Sequence, residues 1–154
     1  MASVTQSIDV NAPVRTAYDQ WTQFESFPQF MDGVKQVRQL DDTHLHWVAE
    51  INGKVSEWDA VITEQNPDER VAWTSTTGQP NGGVVTFHRL GDDMTRVTVQ
   101  MEWEPQGVTE SVGSALGFDD RQVKGDLERF KTFIEERGAP TGAWRGQVDQ
   151  SSTI

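Results

Sequence analysis

Between residues 34 and 104, apolar and polar residues alternate with a period of two, and turn signals interrupt the alternation at regular intervals. Successive side chains of a strand point to opposite sides, so this pattern commits the segment to an antiparallel sheet with one covered face. Asn52-Gly53 pins the register, because both positions of a two-residue hairpin turn need positive φ. Counting outward from it pairs Ile51 with Lys54, Ala49 with Ser56, Trp47 with Trp58 and Leu45 with Ala60. Asn66-Pro67-Asp68-Glu69 reads as a type I turn, setting Trp73 opposite Ile62 and Ser75 opposite Ala60. A turn at Gly91-Asp92-Asp93 pairs Phe87 with Val97 and Val85 with Val99.

These registers agree with one another. One face collects Leu45, Trp47, Ala49, Trp58, Ala60, Ile62, Val71, Trp73, Val85, Phe87, Val97, Val99, Met101 and Trp103. The other collects His44, His46, Glu50, Glu57, Asp59, His88, Arg96 and Glu102, a solvated face. The segment 34–40 keeps more than one register, because Asp41-Asp42-Thr43 allows several loop lengths. Asn81-Gly82-Gly83 reads as a turn between strands; it opens no helix and so makes no phosphate cradle.

The aromatic face needs a cover. Residues 108–137 supply one, with Val108, Val112, Leu116, Val123, Leu127, Phe130 and Ile134 at helical spacing and a stop at Gly138 and Pro140. Gly113, Gly117 and Gly125 predict a bend or a close backbone approach in that helix. Ahead of the meander, residues 3–10 alternate as a strand, and Asn11 with Pro13 signals a helix start. The helix it opens carries Val14, Ala17, Tyr18, Trp21 and Phe24 on one stripe, and residues 26–31 read as a second short helix broken near Pro28. Residues 139–154, rich in Gly, Ser and Gln, read as a flexible tail on a domain of residues 1–138, with Trp144 unexplained.

Composition removes several function classes. The 154 residues carry 13 Lys and Arg against 24 Asp and Glu, a formal charge of −11, which disfavours binding to nucleic acid or to an anionic membrane surface. No cysteine is present, excluding disulfides, thiolate metal sites and thiol catalysis. No apolar run is long enough for a membrane span and no leader segment is visible, so a cytoplasmic protein, monomeric or homodimeric, is expected. Six Trp and seven Phe stand against one Tyr, so the direction in which these rings point decides the function.

The order of elements, with Asn11-Ala12-Pro13, Trp21, Phe27-Pro28, Phe30-Met31, Trp47-Val48-Ala49-Glu50, Glu57-Trp58-Asp59-Ala60 and Gly83-Val84-Val85-Thr86-Phe87, resembles the START-like superfamily. More closely it resembles the branch of polyketide cyclase/dehydrase and coenzyme Q-binding proteins, over roughly residues 3–138. The resemblance implies an α+β helix-grip fold: a curved antiparallel sheet wrapped around a long C-terminal helix, with two short helices after the first strand. It also implies a hydrophobic cavity between sheet and C-terminal helix. The motifs specify fold more sharply than chemistry.

Within that frame the expected ligand-facing residues are Phe27, Phe30, Trp47, Trp58, Trp73, Phe87, Met101, Trp103, Val112 and Leu116. Buried indole N–H groups need partners, and a face with hardly any polar neighbours leaves them to water or a ligand; the alternative is that the rings are simply core. Tyr18 and Arg38 are the interior polar candidates for proton transfer or for holding an enolate. Arg38 points inward if Asp41-Asp42 is a two-residue turn and outward if the loop is longer. His44, His46 and His88, with Glu57 and Asp59, fall on the outer face and assemble no metal-ligand set. Asp119-Asp120 reads as a cap of a restarted helix.

The expected function is binding or transport of a hydrophobic small molecule (a lipid, quinone or aromatic polyketide) without a cofactor. The alternatives are a cofactor-free polyketide aromatase/cyclase-dehydrase, and a protein-interaction module using the outer face or the tail.

Overall fold

The turns dictate the strand pairs, and the pairs form as counted. In the structure, a computed structural model that describes residues 2–51, 53–78, 80–103 and 120–149, Trp47 lies opposite Trp58, Trp73 opposite Ile62 and Phe87 opposite Val97. The elements are β1 (Ala2–Val10), α1 (Val14–Trp21), a 3-10 helix (Phe24–Gln29), β2 (Val34–Gln39), β3 (His44–Ile51), β4 (Lys54–Asn66), β5 (Arg70–Ser75), β6 (Asn81–Gly91), β7 (Met94–Trp103), α2 (Asp120–Arg137) and β8 (Val148–Asp149). The sheet order is β1-β7-β6-β5-β4-β3-β2, antiparallel throughout, with β8 added on β4. This is the expected curled sheet gripping a C-terminal helix. Its covered face is the predicted one, from Leu45 to Met101, packed against Val123, Leu127, Phe130 and Ile134 of α2.

Several local expectations are corrected. Asp68 has a φ of 65°, so Pro67-Asp68 fits a type II turn, whose third position needs positive φ, and not type I. Asn81, Gly82 and Gly83 open β6 instead of forming a turn. Gly83 matters there: a Cβ at this position would lie 2.6 Å from Cζ2 of Trp73 and 2.8 Å from Sδ of Met101, so only glycine lets the indole lie flat across β6. Asn11 does not cap α1; its N–H donates to Oε2 of Glu135 at 2.7 Å, and the residue before the helix is Pro13.

A register shift between Ile62 and Glu64 in β4 reverses the alternation, so Gln65 turns inward and is buried. The segment whose composition reads as a tail runs back across the body as far as residue 149. The Thr141 N–H donates to Oε1 of Gln20 at 2.8 Å, the Trp144 N–H to Oγ1 of Thr22 at 3.1 Å, and β8 pairs with Glu64 and Gln65. Arg145 reaches Asp19 at 2.5 Å and Asp68 at 2.8 Å. Buried polar groups at the end of α1 and just after it, Asp19, Gln20 and Thr22, which the apolar stripe did not announce, help to hold the segment there.

Candidate ligand cavity

The sheet and α2 diverge where the chain turns from the 3-10 helix into β2, and a cavity of about 30 Å³ remains between them. The sheet supplies Trp47, Trp73, Val99 and Met101; α2 supplies Val123, Asp126 and Leu127; Trp21 and the segment Met31, Gly33 and Val34 close it. That volume is room for one or two water molecules. The interior is filled because the rings occupy one another's space. Trp47 stacks on Trp58 and on Trp73, each at 5.9 Å between centroids, while Trp21, Phe27, Phe30 and Phe130 pack as a cluster of tilted and edge-on rings.

Three of the expected ligand-facing residues, Trp47, Trp73 and Met101, lie on the cavity wall. Trp58 backs Trp47 from behind; Phe27 and Phe30 pack on Trp21; Phe87 sits edge-on to Tyr18 at 5.4 Å. Val112 and Leu116 lie outside the described residues, and of Trp103 only the backbone pairing with Ala2 and Asn81 is described. Arg38 pairs with His46 and is exposed: the β2–β3 connection is the longer loop, closed by Leu40 N–H to His44 O at 2.8 Å, which leaves Arg38 off the interior. Tyr18 is fully buried, but away from the cavity. Its hydroxyl lies beside the Gln65 amide without meeting it in hydrogen-bond geometry, Arg145 stands over its ring at 5.5 Å, and burial pushes its pKa up to about 12.

On the outer face His46 lies between two carboxylates, Nδ1 at 2.6 Å from Asp59 and Nε2 at 3.0 Å from Glu57. These hydrogen bonds, Asp59 foremost, raise its pKa. No cluster suited to a metal ion occurs among the described residues.

The residue that sequence reasoning missed is Asp126. It is the ionisable group on an otherwise apolar wall, with a side chain 16% exposed. Its Oδ1 accepts from Arg129 at 2.5 Å, Gln122 at 3.1 Å and the Asp32 N–H at 3.3 Å; Oδ2 accepts from none of the described residues. Burial outweighs these donors and raises the carboxyl pKa to about 6. A carboxyl poised there can give up and recover a proton near neutral pH. The signal was in the spacing, since Asp126 stands three residues after Val123 and four before Phe130, on the edge of the apolar stripe. Two further polar atoms on cavity residues lack partners among the described residues: the indole N–H groups of Trp21 and Trp47 are buried with no acceptor there.

No helix among the described residues is long and apolar enough to cross a membrane. The chain is 62% identical over 149 residues, 96% of its length and 99% of the relative's, to an uncharacterized 17.2 kDa protein in the melC2-rnhH intergenic region of Streptomyces lincolnensis. Among solved structures it is similar to a START superfamily protein from Mycobacterium smegmatis, with a TM-score of 0.73 at 16% identity, covering 88% of this chain and 98% of that one. It is also similar to the Zhui aromatase/cyclase of a Streptomyces species, with a TM-score of 0.72 at 12% identity, covering 93% and 99%. At these identities the two structures share its fold. The family described as "Polyketide cyclase / dehydrase and lipid transport" matches residues 10–132, the span that holds the covered sheet face, the 3-10 helix and the cavity-lining part of α2: this chain belongs to that family.

Proposed function

We infer that this protein binds a hydrophobic small molecule, of the lipid, quinone or aromatic polyketide type, between its sheet and α2. The observation that carries the reading is the cavity itself, an apolar wall on which the Trp21 and Trp47 N–H groups lack acceptors and Asp126 keeps one carboxylate oxygen open. Affinity would come from apolar surface withdrawn from water, at about 25 cal/mol per Å² before ordering costs.

A space of about 30 Å³ is smaller than any such ligand, so uptake requires the wall to yield. Met31 and Met101 suit that demand, because an unbranched thioether side chain changes shape at little cost. The segment after the 3-10 helix meets α2 through Arg129 Nε to Phe30 O at 3.0 Å, the Asp32 N–H to Asp126, and the Phe30 ring on Phe130 and Phe133. The reading takes the protein as a cytoplasmic monomer or homodimer without a cofactor.

Extraction of the purified protein followed by mass spectrometry, with tryptophan quenching by a broad panel of hydrophobic compounds, tests it. Recovery of an apolar compound, or saturable quenching, is expected. A panel that leaves the fluorescence unmoved overturns the reading.

A cyclase/dehydrase is the second reading, and Asp126 is the observation that favours it. Dehydration needs a proton donor and acceptor at the substrate, and among the described lining residues this carboxyl is the group able to serve as either. Holding a flexible chain in a reactive geometry would supply the rest. Loss of turnover of a poly-β-ketone substrate in Asp126→Asn, with binding retained, is the expected result.

A further inference from the structure

We propose that the Asp126 carboxyl and the unpartnered indole N–H groups make the cavity selective for uncharged, oxygen-bearing aromatic ligands, with a phenolic or enolic hydroxyl set against Asp126 and anionic ligands excluded. The proposal rests on the ligand-binding reading and adds the chemical class of the occupant.

Three features of the wall point the same way. Asp126 crowds all its described donors, from Gln122, Arg129 and the Asp32 backbone, onto Oδ1, so Oδ2 remains to accept from a ligand hydroxyl. The Trp21 and Trp47 N–H groups are buried donors in want of an oxygen, which a carbonyl or hydroxyl supplies and a plain hydrocarbon does not. Arg129, the cation beside the carboxyl, is already committed: Nε to Phe30 O, one terminal nitrogen to Asp126, the other facing Asp32 at 3.9 Å. It is not among the cavity-lining residues, and the hydrogen bonds it makes run to Phe30 and Asp126. An anion entering the cavity would face Asp126 across a low-dielectric wall with no cation among the described lining residues, on a chain whose formal charge is −11. A phenol would satisfy Oδ2 and remain neutral.

The exclusion is also dependent on pH. The charged groups facing Asp126 are Arg129 on its own helix and Asp32 on the opposing segment. Protonation of Asp126, whose pKa burial raises to about 6, removes the negative charge that an anion meets.

Calorimetric titration of the full chain with 2-naphthol and 2-naphthalenesulfonate, which share one ring system, tests the proposal. At pH 7.5 the wild type is expected to bind 2-naphthol at least about tenfold more tightly, the worth of one hydrogen bond to a charged group plus the repulsion avoided. Asp126→Asn, which keeps the shape of the side chain, is expected to narrow the ratio to about threefold or less, mainly by tightening the sulfonate. In the wild type, sulfonate affinity is expected to rise at least about threefold from pH 7.5 to pH 5, and to stay flat in the variant. Equal affinities in the wild type, or a ratio unchanged in a folded Asp126→Asn, overturn the proposal while leaving the ligand-binding reading standing. If neither probe binds, and saturable quenching by the wider panel is also absent, both fall together.

Discussion

Replacing Arg145 with methionine removes the cation that reaches furthest into α1. Asp19, with a side chain 8% exposed, would lose its contact at 2.5 Å and keep only Arg15, at 3.8 Å and 71% exposed. Removing one partner of a buried ion pair costs about 3–5 kcal/mol, because the remaining charge stays desolvated. Arg145 is itself 27% exposed and Arg15 remains nearby, so the cost should be lower, about 2–3 kcal/mol. For a chain of this length that corresponds to a fall in Tm of about 5–10 °C. The Asp68 contact adds little, since that side chain is 35% exposed.

Urea denaturation followed by tryptophan fluorescence measures the change in midpoint. The double variant Asp19→Asn with Arg145→Met should recover more than half of the loss, because it removes the stranded charge along with its partner. A single Arg145→Met variant within about 0.5 kcal/mol of the wild type would refute the reasoning, since it would mean that the Arg145–Asp19 contact contributes nothing to stability.

Gly83→Ala should cost about 1–3 kcal/mol by overpacking, because the new methyl lies within 2.8 Å of both Trp73 and Met101 and drives one of them into the cavity; a shifted emission maximum and a lower urea midpoint report it. Asp126→Asn should stabilise the fold at pH 7.5. The folded-state pKa of about 6, against 3.8 for the free side chain, means the native state holds its proton more tightly, so stability falls as pH rises from below 3.8 through 6. The variant escapes that loss, so its advantage should reach about 1–3 kcal/mol at pH 7.5 and vanish below pH 4, as urea midpoints at the two values would show. His46, with its pKa raised by Asp59 and Glu57, contributes stability that is present below its ordinary 6.5 and lost as pH climbs through the folded value. Asp59→Asn should move its titration, followed by NMR, back towards 6.5.

How far the sequence led depended on what fixed each residue's direction. Asn52-Gly53 and the paired apolar runs set parity across five strands, β3 to β7, and every inward assignment from Leu45 to Met101 is buried. Parity fails where a strand carries an extra residue: no feature of Thr63-Glu64-Gln65 announces the shift that turns Gln65 to the interior. Arg38 hung on a loop length that composition leaves open. The cavity was the hardest to read, because alternation says which side of a sheet a ring occupies, not whether its neighbours fill the space beside it. Trp58 and Phe87 share the face of Trp47 and Trp73, yet neither lines the cavity: Trp58 stacks on Trp47, and Phe87 packs edge-on to Tyr18. Spacing puts Asp126 on the edge of the apolar stripe, but the approach of Asp32 and the wall opposite is what gives it a desolvated setting.

The Trp47 and Trp58 planes lie within 7° of parallel. Chromophores so close share their electronic excitations, and a chiral offset between them yields a bisignate dichroism band in the strong far-ultraviolet indole transition. With Trp73 completing the ladder at 24° to Trp47, the protein carries its own optical gauge of side-chain order at the place where a guest would enter.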